Sequence, residues 1–173
     1  MRGALDGRMN SCYMERHGVQ LHKEREVEMY HKCSLDDERY LRSFEAYEVD
    51  AATFHHREHL RVAYALIATY GLESAFLRLK EGLIGFLSHQ GVGPEKYHET
   101  VTYAWLLAVN HFMHMARTSR SFDEFIQRNE VLLNPSIMAT HYSRELLQST
   151  EAKSGFVEPD LDPIPLYATT RRV

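Results

Sequence analysis

Cysteine is scarce in this sequence: there are two in 173 residues, Cys12 and Cys33, and neither has a partner at C-x-x-C spacing. That excludes a disulfide-stapled secreted scaffold and a cysteine-ligated zinc site, and it predicts free thiols in a reducing cytoplasm. Long apolar runs are missing as well. No stretch approaches the roughly 18 unbroken apolar residues of a membrane span, and the mean hydropathy is −0.42. An excess of positive charge is absent too. The net charge of −4 argues against a nucleic-acid footprint, which needs a basic face. The N-terminus lacks the apolar core of a signal peptide. Alternating strand patterns and Asn-Gly hairpin turns are scarce, and no repeat of solenoid length occurs. There is no G-x-S-x-G elbow, no P-loop and no G-x-G-x-x-G, which removes the common hydrolase, phosphate-binding and dinucleotide-binding signatures.

Helical periodicity dominates from about residue 35. Ser34 or Asp36 is placed to cap a short helix through the segment DDERYLRSFEAYEV, whose Tyr40, Leu41, Phe44 and Tyr47 share one face. Four longer helices are predicted at about 51–70, 72–89, 95–117 and 135–148, with Gly71 and the Gly91–Pro94 loop as stops. Ser121 followed by Glu124 reads as a capping box that opens another short helix. Three of the five prolines, Pro159, Pro163 and Pro165, fall near the C-terminus and predict an extended tail. The expected architecture is therefore all-α: an irregular bundle of four main helices plus short ones, spanning 35–150. Tails are expected at 1–34 and 151–173. Met9, Met14 and Met29 offer later starts within the N-terminal tail.

Histidine is what the sequence has in excess: eleven residues. His17, His22 and His31 fall in the expected tail and read as solvated. In the segment Phe54-His55-His56-Arg57-Glu58-His59-Leu60, the i, i+3 pair His56 and His59 continues into Leu60, Ala63, Leu66 and Ile67. Both imidazoles therefore lie on the core-facing side, with His55 turned outward. Arg57, Glu58 and Arg61 fall on the outer side, placed to pair with one another. A second cluster opens the long helix, where His98, Thr102 and Trp105 follow i, i+4, i+7. A histidine and a hydroxyl on an apolar stripe need partners to offset desolvation.

If helices 51–70 and 95–117 run parallel, with 72–89 antiparallel between them, then His56, His59 and His98 meet at one end of the bundle. Three neutral imidazoles at one level suit a single transition-metal ion with a coordination position left for water. In that reading Glu99 or Tyr97 is the proton donor or acceptor, and Thr102, Trp105 and His141 shape the pocket. The expected function is a cytoplasmic protein with a histidine-lined pocket, a metal-dependent enzyme acting on a small molecule. The competing expectation is a non-catalytic ligand-binding or interaction module whose histidines are hydrogen-bonded structural groups. A small-molecule ligand is the expected partner, with no nucleic acid and no membrane. Homo-oligomerisation stays open.

The run Phe54-x-His56-x-x-His59-Leu60-Arg61-x-Ala63 is followed by Tyr97-His98-Glu99-Thr100-x-Thr102-x-Ala104-Trp105, by His141-Tyr142-Ser143 and by Glu158-Pro159-Asp160-Leu161. Over about residues 36–163 this pattern resembles a family of small bacterial all-helical proteins. That resemblance implies an all-α fold and carries no activity to transfer. A looser likeness to helical-bundle metalloenzymes of the DinB type rests on architecture and histidines alone.

Overall fold

The computed structural model describes residues 31–165, which belong to a unit that begins at His31. Cys12, His17, His22 and the three candidate internal starts lie outside the described residues. Among the described residues there are eight α-helices and no strand, so the fold is all-α. None of these helices is long and apolar enough to cross a membrane.

Helix α1 spans Leu35–Glu45. Ser34 is its cap: the Ser34 hydroxyl accepts the Asp37 N–H at 3.1 Å, and the Asp37 carboxylate takes the Ser34 N–H at 3.0 Å. The helix stops short of residue 49 because Tyr47 takes the left-handed conformation, φ 60°. There the N–H groups of Tyr47 and Glu48 turn back onto Phe44 and Ser43, the closure usually made with glycine. The Tyr47 ring is held in place by stacking on His89 at 6.0 Å.

Helix α2 is His56–Tyr70 and α3 is Leu72–His89, joined through Gly71 alone. Gly71 has φ 75°, a backbone that side chains with a Cβ adopt at a cost. Helix α2 begins five residues later than the periodicity predicts. Asp50 accounts for the delay, since its side chain and carbonyl accept the N–H groups of Ala52 and Thr53 in a turn. Helix α4, Glu99–Met115, also starts late, after a 3-10 turn at Pro94–Lys96. Helix α5, Phe122–Arg128, carries the predicted Ser121 cap, and Glu124 reaches the N–H of Arg120.

The predicted helix at 135–148 does not exist as one element. Its span holds a 3-10 turn at Pro135–Ile137, then α6 (Met138–His141) and α7 (Arg144–Gln148), which ends where expected, and α8 (Thr150–Ser154) follows. Ser143 breaks the span and Ser149 opens α8. Ser143 and Ser149 each cap the following helix with the side-chain oxygen, and Tyr142 between α6 and α7 is extended so that its ring is buried. Serine competes with the helix backbone for hydrogen bonds, so it favours a new start over continuation.

The regions expected as tails contribute to packing where they are described. His31 is buried, and Lys32 donates its N–H to the carbonyl of Ser119. At the other end Ala152 and Ile164 are buried, and Phe156 and Val157 pack on the core. The segment after α8 is tied to α4 through Thr100, whose hydroxyl donates to the Gly155 carbonyl and accepts from the Val157 N–H.

Candidate functional site

The N-terminal ends of α2 and α4 and the C-terminal half of α3 enclose a cavity of about 500 Å³. This is within the size range of small-molecule sites. The parallel–antiparallel order expected from the short connections is what brings these three ends together. The far wall is aliphatic and aromatic. Leu79, Leu83 and Phe86 come from α3, Leu60 and Ala63 from α2, and Phe54 from the turn before it. Leu79, Leu83 and Phe86 are spaced i, i+4, i+7, a stripe visible in the sequence but not singled out there. Phe54 stacks on Phe44 and packs against Phe86 at 5.0 Å between ring centres.

The polar groups at the cavity are His56, His59, Lys96, Tyr97, His98 and Thr102. His56, His59, His98, Tyr97, Thr102 and Trp105 were all expected at a site, and the structure brings all six to one cavity. His98 does so from outside the helix. It is the residue before Glu99, where its Nδ1 accepts the N–H of Val101 at 3.4 Å. Its Nε2–H donates to the carbonyl of Leu147 at 2.8 Å. His56 donates Nε2–H to the carbonyl of Leu132 at 2.9 Å, and its ring meets Trp105 edge-on at 4.4 Å. His59 donates Nδ1–H to the carbonyl of His55 one turn back at 2.7 Å, and its ring lies 4.2 Å from that of Phe54. Burial lowers the His59 pKa from its ordinary value, partly opposed by that carbonyl contact. The ring is therefore neutral at pH 7.

The three imidazoles share the cavity but each is bonded to a different carbonyl. Among the described residues no three histidine, cysteine, aspartate or glutamate side chains are grouped so as to hold a metal ion. A shared metal would need the rings of His56, His59 and His98 to converge, and His98 has both nitrogens engaged.

Tyr97 is the other unusual group. Its hydroxyl is buried and makes no hydrogen bond of ordinary geometry among the described residues, although the Thr102 and Glu99 side chains lie close to it. Burial pushes its pKa up, and the charge of nearby Glu99 pushes it further. The phenol thus keeps its proton. Glu99 itself does not line the cavity. It is buried in the first turn of α4, where its Oε1 takes a hydrogen bond from Lys80 Nζ at 2.8 Å. That ion pair, with the helix N-terminus, accounts for the carboxylate.

His141 is not at the cavity either. Its Nδ1–H donates to the Asp162 carbonyl at 2.7 Å, tying α6 to the C-terminal segment. Arg57 pairs with Glu58 as expected, at 3.7 Å. Arg61 instead turns to α1, where its Nε donates to Asp37 at 3.0 Å and a terminal nitrogen meets Asp36. Asp37 is buried, although a second acidic residue in a first turn normally faces water.

No protein-family model, curated protein or solved structure matches this chain.

Proposed function

We propose that the protein is a ligand-binding module whose cavity holds one small, largely apolar molecule. The observation that carries this reading is the Tyr97 hydroxyl, a buried donor without a partner, beside an apolar cavity of about 500 Å³. A buried unpaired hydroxyl costs on the order of 1–3 kcal/mol, and a ligand that accepts from it removes that penalty. The separate carbonyl partners of His56, His59 and His98 favour binding over a metal-centred reaction.

Trp105 is the single tryptophan of the chain and stands in the cavity wall. Its fluorescence is a direct reporter. Titration with N-phenyl-1-naphthylamine, a neutral apolar fluorophore, is expected to be saturable near one equivalent and to quench Trp105. Ala63→Phe, which fills the cavity from α2, is expected to abolish binding. Leu83→Phe on the half-buried α3 wall serves if Ala63→Phe unfolds. Non-saturable uptake of the probe, or binding indifferent to both fillers, would overturn the reading.

A further inference from the structure

The hydrogen-bonding chemistry of the cavity defines which ligands it prefers, and this step rests on the binding reading above. A hydrogen bond to a carbonyl oxygen needs an N–H, so each carbonyl contact fixes the tautomer of a ring. His56 has its proton on Nε2, facing Leu132, and His59 has its proton on Nδ1, facing His55. Burial keeps the His59 ring neutral, so its other nitrogen, Nε2, carries a lone pair. In His59 the Nδ1 edge is turned back onto its own helix, which leaves Nε2 on the opposite side of a ring that lines the cavity. In His98 the equivalent lone pair is already taken by Val101.

The cavity thus presents one bare acceptor, His59 Nε2, and its wall holds one buried donor without a partner, the Tyr97 hydroxyl. Among the described residues no carboxylate lines it, and the one full cation that does, Lys96, is an exposed residue. A carboxylate ligand brings only acceptors and would meet the His59 lone pair with its own. A pure hydrocarbon leaves both His59 and Tyr97 unmatched. A hydroxyl group supplies the missing donor and the missing acceptor. The rings of Phe54, Phe86 and Trp105 in the wall suit a flat aromatic body.

We infer that the cavity selects neutral phenol-type molecules, with the ligand O–H donating to His59 Nε2 and Tyr97 donating to a ligand oxygen. The contrast with other ligands comes from the bond that each analogue leaves unmade. Losing one such bond lowers affinity by about tenfold or more.

The test is a calorimetric comparison of 2-naphthol, its methyl ether 2-methoxynaphthalene and 2-naphthoate on the full chain. 2-Naphthol is expected to bind at least about tenfold more tightly than either analogue. In His59→Leu the preference over the ether is expected to vanish while affinity for the ether is kept. Tyr97→Phe is the second variant, expected to weaken 2-naphthol and the ether alike, since both offer an acceptor oxygen. Equal affinity for 2-naphthol and its ether, or tighter binding of 2-naphthoate, would overturn the inference and leave apolar binding standing. Binding of N-phenyl-1-naphthylamine without binding of 2-naphthol would also overturn the inference alone. Failure of all four compounds to bind would remove the cavity reading together with it.

Discussion

The carboxylate of Asp37 accepts a hydrogen bond from the backbone N–H of Phe122 at 3.0 Å, across 85 residues of chain. The same carboxylate takes the N–H and hydroxyl of Ser34 and the Nε–H of Arg61. One buried acid therefore caps α1, anchors α2 through Arg61 and holds the first residue of α5.

Asp37→Asn is expected to cost about 2–3 kcal/mol, and Asp37→Ala more, because Arg61 and the Phe122 N–H lose an ionised acceptor. Urea unfolding at neutral pH measures this. Burial would raise the Asp37 pKa, but the bonds from Phe122, Ser34 and Arg61 outweigh it and hold it below the ordinary value. A depressed acid contributes stability that is present above its unfolded pKa and is lost as pH falls through the folded one. The gap between the parent and Asp37→Asn is therefore expected to narrow below about pH 4. An unchanged gap down to acid unfolding would contradict this role.

Gly82 makes the contact between α1 and α3. A Cβ there would lie 2.8 Å from Cζ of Phe44 and closer still to Cε1. Phe44 is fully buried between Phe54 and Phe86 and has no room to retreat. Gly82→Ala gains up to about 1 kcal/mol of helix propensity. It is nevertheless expected to destabilise the protein by about 1–3 kcal/mol through overpacking. Thermal unfolding of the single variant decides the sign, and a raised melting temperature would show that Phe44 can move.

Thr100 is fully buried and bridges two backbone groups of the C-terminal segment, the Gly155 carbonyl at 2.9 Å and the Val157 N–H at 3.1 Å. Thr100→Val keeps the shape and removes both bonds. The expected cost is about 2–3 kcal/mol, with faster amide exchange at Val157 as the local signature. Thr100→Ser is expected to restore the slow exchange. Equal exchange in all three proteins would mean that apolar packing alone holds the segment.

His31 is buried with both nitrogens engaged: Nε2–H donates to the Met113 carbonyl at 2.8 Å, and Nδ1 accepts the Ser119 N–H at 3.2 Å. The ring must be neutral to accept from Ser119. Burial lowers its pKa, and the Met113 contact opposes that only in part. A histidine with a lowered folded pKa binds its proton more readily when unfolded, so stability rises with pH across this window. Its contribution is full above about pH 6.5 and is lost as pH falls toward the folded value. His59 acts in the same sense. The urea midpoint is expected to fall between about pH 7.5 and about pH 5, and His31→Gln is expected to flatten that slope. A flat profile in the parent would show that neither ring is held neutral by the fold.

Much of the helical layout was legible from local chemistry. The bounds of α3, 72–89, follow from Gly71 at one end and the turn at Gly91 at the other, where φ of 75° and 69° exclude continuation. The Ser121 cap was equally local. The misplaced boundaries share a cause. Asp50, Tyr47 and Ser143 each divert the backbone by a competing hydrogen bond or a left-handed turn, and apolar spacing carries no trace of either.

For the site, the order of residues along the chain determined which side chains share a face and which helix ends share a level. Helical pitch alone put His56 and His59 on one stripe, and short connections put His98 and Thr102 beside them. What each imidazole bonds to was decided only by tertiary structure. The acceptors for His56 and His98 are carbonyls 76 and 49 residues away, one in a 3-10 turn at Glu130–Leu133 and one in α7, whose positions depend on the packed core. A side chain's identity sets what it is able to bond, but a tautomer is set by the partner it meets. That is why the sequence pointed to a histidine-lined pocket, while the fold decided that its histidines are fixed separately, each on its own carbonyl.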